Sequence, residues 1–92
     1  MAEPLAATVV IRNKRGLHAR ASAKFCAVAG SFEAVVRVVN DDWSVPGDSI
    51  MGLMMMGAGP GAEITITAEG PQAEEALDTL VKLVADKFGE RE

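Results

Sequence analysis

The period of the apolar positions changes several times along the 92 residues, and each change marks an element. Ala6–Arg12 is rich in β-branched side chains and reads as a strand. The polar run Asn13-Lys14-Arg15-Gly16 turns the chain. Ala19–Ala29 contains no Pro or Gly. Its Ser22, Phe25, Cys26 and Ala29 recur at i, i+3, i+4 and i+7, which predicts a helix with one face in a core and Gly30 as its stop. Glu33–Asn40 reads as a second strand, Asp41-Asp42 as a turn, and Trp43–Val45 as a short third strand ended by Pro46-Gly47. The methionine-rich Asp48–Gly57 is too flexible for a good strand and suits a short helix that Asp48 or Ser49 can cap. Gly57–Gly61 is a loop. Ala62–Glu69 alternates strictly, with Ala62, Ile64, Ile66 and Ala68 on one face and Glu63, Thr65, Thr67 and Glu69 on the other. Pro71–Phe88 is the clearest helix. Ala73, Leu77, Leu80, Val84 and Phe88 form its stripe, and Glu74 and Glu75 early with Lys82 and Lys87 late match its dipole.

The order is therefore β-α-β-β-α-β-α. It predicts an α+β fold, an open-faced sandwich of four antiparallel strands with three helices on one face. At this length one core is possible and two are not, so residues 1–92 are expected to form one domain. Composition agrees: 49% apolar and 24% charged is the mix of a folded globular chain. No leader is expected in Met-Ala-Glu-Pro, and the apolar stretch Ile50–Ala58 is too short to cross a bilayer, so a cytoplasmic location with no membrane partner is expected. The single cysteine fits a reducing compartment. Cys26, on the apolar face of the first helix, is expected to be a buried packing residue.

Charge changes the picture more than composition does. The net charge of −4 and 4% aromatic content argue against nucleic acid as a partner. Yet residues 1–40 carry six basic side chains against two acidic ones, whereas residues 41–92 carry three against eleven. Charge runs of this kind are often no more than solvated faces. The sharper reading is a locally positive site in the first third of the chain that handles an anion.

The single histidine lies in that third, in Gly16-Leu17-His18-Ala19-Arg20. One histidine excludes multi-imidazole metal chemistry, and no carboxylate or thiolate stands near it in the sequence, so no metal or cofactor is expected. His18 falls where a loop enters a helix, and Gly16 permits a sharp turn and close backbone approach. Ala19 offers no oxygen to cap that helix, a defect of about 1 kcal/mol in a purely structural helix. In an anion site it leaves the backbone N–H groups of Ala19 and Arg20 free for phosphate oxygens. Arg20 adds a guanidinium suited to a phosphoryl group, and with Arg15 and Lys24 it surrounds the imidazole with positive charge that keeps it neutral and nucleophilic.

These residues carry a resemblance. Gly16-Leu17-His18-Ala19-Arg20, followed by a helix with Phe25, is similar to the active-site signature of the HPr family of histidine-containing phosphocarriers, including its nitrogen-related NPr branch. Asp48-Ser49-Ile50-Met51-Gly52-Leu53-Met54 resembles the short second helix of that family and its regulatory serine. The resemblance spans Leu5 to Phe88. It implies the same fold and a carrier rather than an enzyme. His18 would accept a phosphoryl group on Nδ1 from phosphorylated enzyme I, supplied by phosphoenolpyruvate, and pass it to an enzyme IIA, with Arg20 stabilising the transferred charge. The sugar and nitrogen-related branches both stay open. Ala21 departs from the pattern, standing where the family usually has proline, and it implies a less rigid helix entrance.

Ser49 reads plainly as a helix N-cap; the resemblance adds phosphorylation by an HPr kinase/phosphorylase. Ile50, Met51, Leu53, Met54, Met55 and Met56 cannot all share one buried face. Ile50, Met51, Gly52 and Met54, with Arg15 and Lys24, are therefore candidates for a partner-facing surface that repacks for different partners. A monomer is expected, since a carrier exposes one histidine to two partners in turn. The alternative is a regulatory binding module that docks a partner through Ser49 and the methionines without phosphoryl transfer.

Overall fold

The computed structural model describes residues 4–92. Its sheet is built from β1 (Leu5–Val10), β2 (Val35–Asn40), β3 (Trp43–Pro46) and β4 (Glu63–Glu69), in the order β1-β4-β2-β3 with every neighbouring pair antiparallel. β4 therefore lies between two strands that run parallel to each other. The three helices are α1 (Ala19–Gly30), α2 (Ile50–Met56) and α3 (Ala73–Ala85). This is the open-faced α+β arrangement that the order of elements predicts.

The strict alternation of β4 sets the register. Ile64, Ile66 and Ala68 are buried beneath the helices, as are Val36 and Val38 of β2 and Val45 of β3. On the other face Thr8 and Thr65, paired in register, share a hydroxyl hydrogen bond of 3.0 Å. Phe25 of α1, Leu53 of α2, and Leu80 and Val84 of α3 complete the core. Cys26 is buried as expected, and burial, aided by Asp48, pushes its thiol pKa up.

Several boundaries move, each for a local reason. The strand expected at 6–12 ends at Val10; Ile11 is fully buried and its N–H still reaches Ala62 at 2.9 Å. The second strand starts at Val35 rather than Glu33. The backbone of Glu33 is tied to Gln72 instead, donating to its Oε1 at 2.7 Å and accepting from its N–H at 3.0 Å. β3 includes Pro46, which an edge strand tolerates because the missing N–H faces no neighbour. The last helix, expected to run from Pro71 to Phe88, spans only Ala73–Ala85. Lys87, Phe88 and Gly89 follow with φ of 56°, 55° and 79°, a left-handed turn that no helix continues through.

That turn positions the site. α3 leaves the end of the sheet where β1 begins and returns to the end where β1 stops. The chain's last residues thus arrive beside the β1–α1 loop. Each left-handed non-glycine residue costs about 1–2 kcal/mol. Burying Phe88 completely returns roughly 1.5–3 kcal/mol, and its carbonyl accepts from Lys24 Nζ at 2.7 Å.

Candidate functional site

The β1–α1 loop is held tightly against the segment that leaves α2. Gly16 has a φ of +65°, and a Cβ there would lie 2.3 Å from the carbonyl oxygen of Ala58. The N–H of Leu17 donates to that same oxygen at 3.0 Å. Only glycine meets both demands, the left-handed backbone and the close approach.

His18 follows in extended backbone as the N-cap of α1. Its carbonyl accepts from the N–H of Ser22 at 2.9 Å, and its Nδ1 accepts from the N–H of Arg20 at 3.3 Å. This corrects the expectation of an uncapped entrance. The absence of an oxygen at Ala19 leaves no gap, because the imidazole one residue earlier caps the helix. The Arg20 N–H is engaged by the ring nitrogen that the resemblance implicates.

The other ring nitrogen is engaged more strongly. Nε2 lies 2.6 Å from Oε2 of Glu90, with the two side chains 21% and 16% exposed. Oε1 of the same carboxylate accepts from Asn13 Nδ2 at 3.1 Å, and Asn13 Nδ2 also donates to the Gly16 carbonyl at 2.9 Å. Burial pushes the Glu90 carboxyl up, but the hydrogen bonds from His18 and Asn13, helped by the charge of Lys24, outweigh it and hold its pKa below the usual carboxylate value. Two sequence expectations are corrected at once. A carboxylate does stand beside His18, and it, not a cation, is the ionised group in contact with the ring. Local sequence could not disclose it, since 72 positions separate the two residues.

The remaining basic residues are partly spoken for. Lys24 binds the Phe88 carbonyl, and Lys14 meets Glu92 through both its backbone, at 2.6 Å, and its ammonium, at 3.5 Å. Lys14 and Arg15 line a shallow cleft with Glu90, Arg91 and Glu92. Thus acidic residues of the late half fold back onto the positive loop. Arg20 is exposed, and among the described residues none takes a hydrogen bond from its guanidinium.

Ser49 lies at a different helix start. It is the N-cap of α2, its Oγ accepting from the N–H of Gly52 at 3.0 Å. A Cβ on Gly52 would come within 2.9 Å of that Oγ and 3.1 Å of Val45 Cβ, so glycine lets the turn close onto β3. Leu53 and Met56 face the core, whereas Ile50, Met51, Met54 and Met55 are exposed, Met51 by 67%. α2 packs against α1, and so the exposed side chains and His18 belong to neighbouring elements.

With a histidine-capped helix start and a serine-capped one on these elements, known proteins give a consistent comparison. Residues 5–86 match the family model described as PTS HPr component phosphorylation site. The chain belongs to the HPr family. It is 48% identical over 82 residues to the phosphocarrier protein HPr of Cupriavidus necator, covering 89% of this chain and 92% of that protein. It is 40% identical over 82 residues to the phosphocarrier protein NPr of Shewanella violacea, covering 89% of this chain and 90% of that one. The crystal structure of an HPr from Thermoanaerobacter tengcongensis superimposes with a TM-score of 0.91 at 41% identity, over 96% of this chain and 99% of that one. Among the described residues no helix is long and apolar enough to cross a membrane.

Proposed function

We propose that this HPr-family chain is a cytoplasmic, monomeric phosphocarrier that accepts a phosphoryl group on Nδ1 of His18 from phosphorylated enzyme I and donates it to an enzyme IIA. One observation carries the reading. Nε2 is occupied by Glu90, while Nδ1 caps the first turn of α1 with its lone pair toward the helix's N–H groups. The electron pair of Nδ1 forms the new bond to phosphorus, and the donor–phosphorus bond breaks with its pair remaining on the donor. Onward transfer is the reverse. As the bond forms, the Arg20 N–H exchanges the ring nitrogen for a phosphoryl oxygen. The N–H of Ala19 and the exposed Arg20 guanidinium then take the developing charge. A group attached by a P–N bond at a helix start is held yet readily given up, as a carrier requires.

The partner surface in this reading is Arg15 and Lys24 with the exposed Ile50, Met51 and Met54 around Gly52. Ser49 is a second site of modification, by a protein kinase. Its phosphate would sit at the start of α2 and add negative charge to the face that meets partners. Incubation with enzyme I and labelled phosphoenolpyruvate should yield an acid-labile, base-stable phosphoprotein, and His18→Ala should remain blank. Equal labelling of His18→Ala would overturn the assignment. It would favour instead a binding module that works through Ser49 and the methionines.

A further inference from the structure

The residues behind the imidazole form a relay with a single internally consistent arrangement of hydrogens. Asn13 is fully buried, and its amide nitrogen faces two acceptors, the Gly16 carbonyl and Glu90 Oε1. Reversing the amide would set its oxygen against both, so the nitrogen must point that way. Glu90 is then fixed through both oxygens, one on Asn13 and one on His18. An ionised carboxylate only accepts, so Nε2 carries the proton and Nδ1 keeps the lone pair. The opposite tautomer would press a lone pair onto a carboxylate 2.6 Å away and an N–H onto the N–H of Arg20.

The strand of chain that delivers Glu90 is tied on both sides. Ahead of it, Phe88 is buried and its carbonyl is held by Lys24; after it, Glu92 pairs with Lys14. Together with the left-handed turn at 87–89 this fixes the carboxylate at one spot rather than leaving it on a loose terminus.

We propose that Glu90, oriented by Asn13, is a positioning residue for phosphoryl transfer: it holds His18 as the Nε2–H tautomer and stabilises the positive charge the ring acquires when Nδ1 bonds to phosphorus. The proposal rests on the reading of His18 as the acceptor. No proton has to leave in the step. The proton on Nε2 stays between the ring and the carboxylate, Nδ1 contributes the bonding pair, and the leaving donor keeps its own. When the group moves on, the ring returns to the same tautomer, ready for the next turn.

The test compares the parent with Glu90→Ala and Glu90→Gln in ¹⁵N-labelled protein. The readouts are the two ring-nitrogen shifts of His18 and the rate of phosphoryl acceptance from phosphorylated enzyme I. Glu90→Ala should lose the uniform Nε2–H tautomer and accept about tenfold more slowly, the scale on which partners of a functional histidine act. Glu90→Gln keeps an oxygen that can accept from Nε2–H and should restore the tautomer while recovering only part of the rate. Parent-like ring-nitrogen shifts and a parent-like rate in Glu90→Ala would overturn the proposal. The nitrogen shifts are read without any transfer. Failure of the parent to accept a phosphoryl group would therefore strike the acceptor assignment, while the spectra still decide what Glu90 does to the ring.

Discussion

α1 and α2 both begin with a side chain that accepts a hydrogen bond from the first turn, yet the two starts are built differently. At α2 the cap is self-contained. Ser49 binds the N–H three residues on, and the glycine at that position makes room. At α1 the cap is an imidazole reaching the N–H two residues on at 3.3 Å, near the long end of the hydrogen-bond range. It is held there by Glu90, which arrives from beyond α3, and that carboxylate is oriented by Asn13 of the β1–α1 loop. A serine is the stronger cap, so the imidazole is a poorer structural choice; in the proposed function it is the nucleophile kept at the helix entrance. On that proposal one start serves stability first and the other chemistry, and substitution should separate them.

The largest effect is expected where the α1 start depends on its loop. Gly16→Ala adds a Cβ that collides with the Ala58 carbonyl and strains a left-handed backbone. It should cost about 3 kcal/mol, a fall in melting temperature of roughly 12 °C or more. A melting curve like that of the parent would mean the loop is not packed this closely. Ser49→Ala comes next. Losing a local cap should cost about 1 kcal/mol and leave the rate of His18 labelling unchanged; a loss of labelling without a loss of stability would reverse the contrast between the two helices. His18→Ser gives the complement. It should melt within about 1 kcal/mol of the parent, because serine caps well and offsets part of what Glu90 loses with its ring partner, while all acid-labile label disappears.

The smallest effect is the response of the tail to acid. The Glu90 carboxyl sits below its ordinary pKa in the folded chain, so its contribution is complete above the ordinary carboxylate range. It is lost as the pH falls through the lower folded value. The Asn13 side-chain amide signals should therefore hold steady through the usual carboxylate range and shift only in stronger acid. A shift centred at or above that range would contradict the pairing.

How much of this was legible in the sequence follows from how local each feature is. The alternation of β4, the i, i+3, i+4, i+7 pattern of α1 and the Ser49 cap involve residues within a turn or a strand of one another, and each was readable. Gly16 was readable as a close-approach position, although the partner it approaches, Ala58, was not. The apolar stripe correctly included Phe88 but extended the helix to reach it. The residue is buried because the chain reverses there in a left-handed turn, which periodicity does not encode. Glu90 and Asn13 were hidden for the same reason. A carboxylate beyond the last helix and an asparagine in a polar loop look like solvated side chains until the topology brings α3 back to the β1–α1 loop. The charge asymmetry was real as a count, but the fold brings Glu90 and Glu92 from the acidic half onto it.

The most direct measurement is the position of the phosphoryl group on the ring. After incubation of ¹⁵N-labelled protein with enzyme I and phosphoenolpyruvate, the nitrogen spectrum of His18 should show phosphorus bonded to Nδ1, with Nε2 still carrying its proton. Phosphorus on Nε2, or no change in the His18 ring at all, would contradict the assignment of Nδ1 as the atom that carries the group.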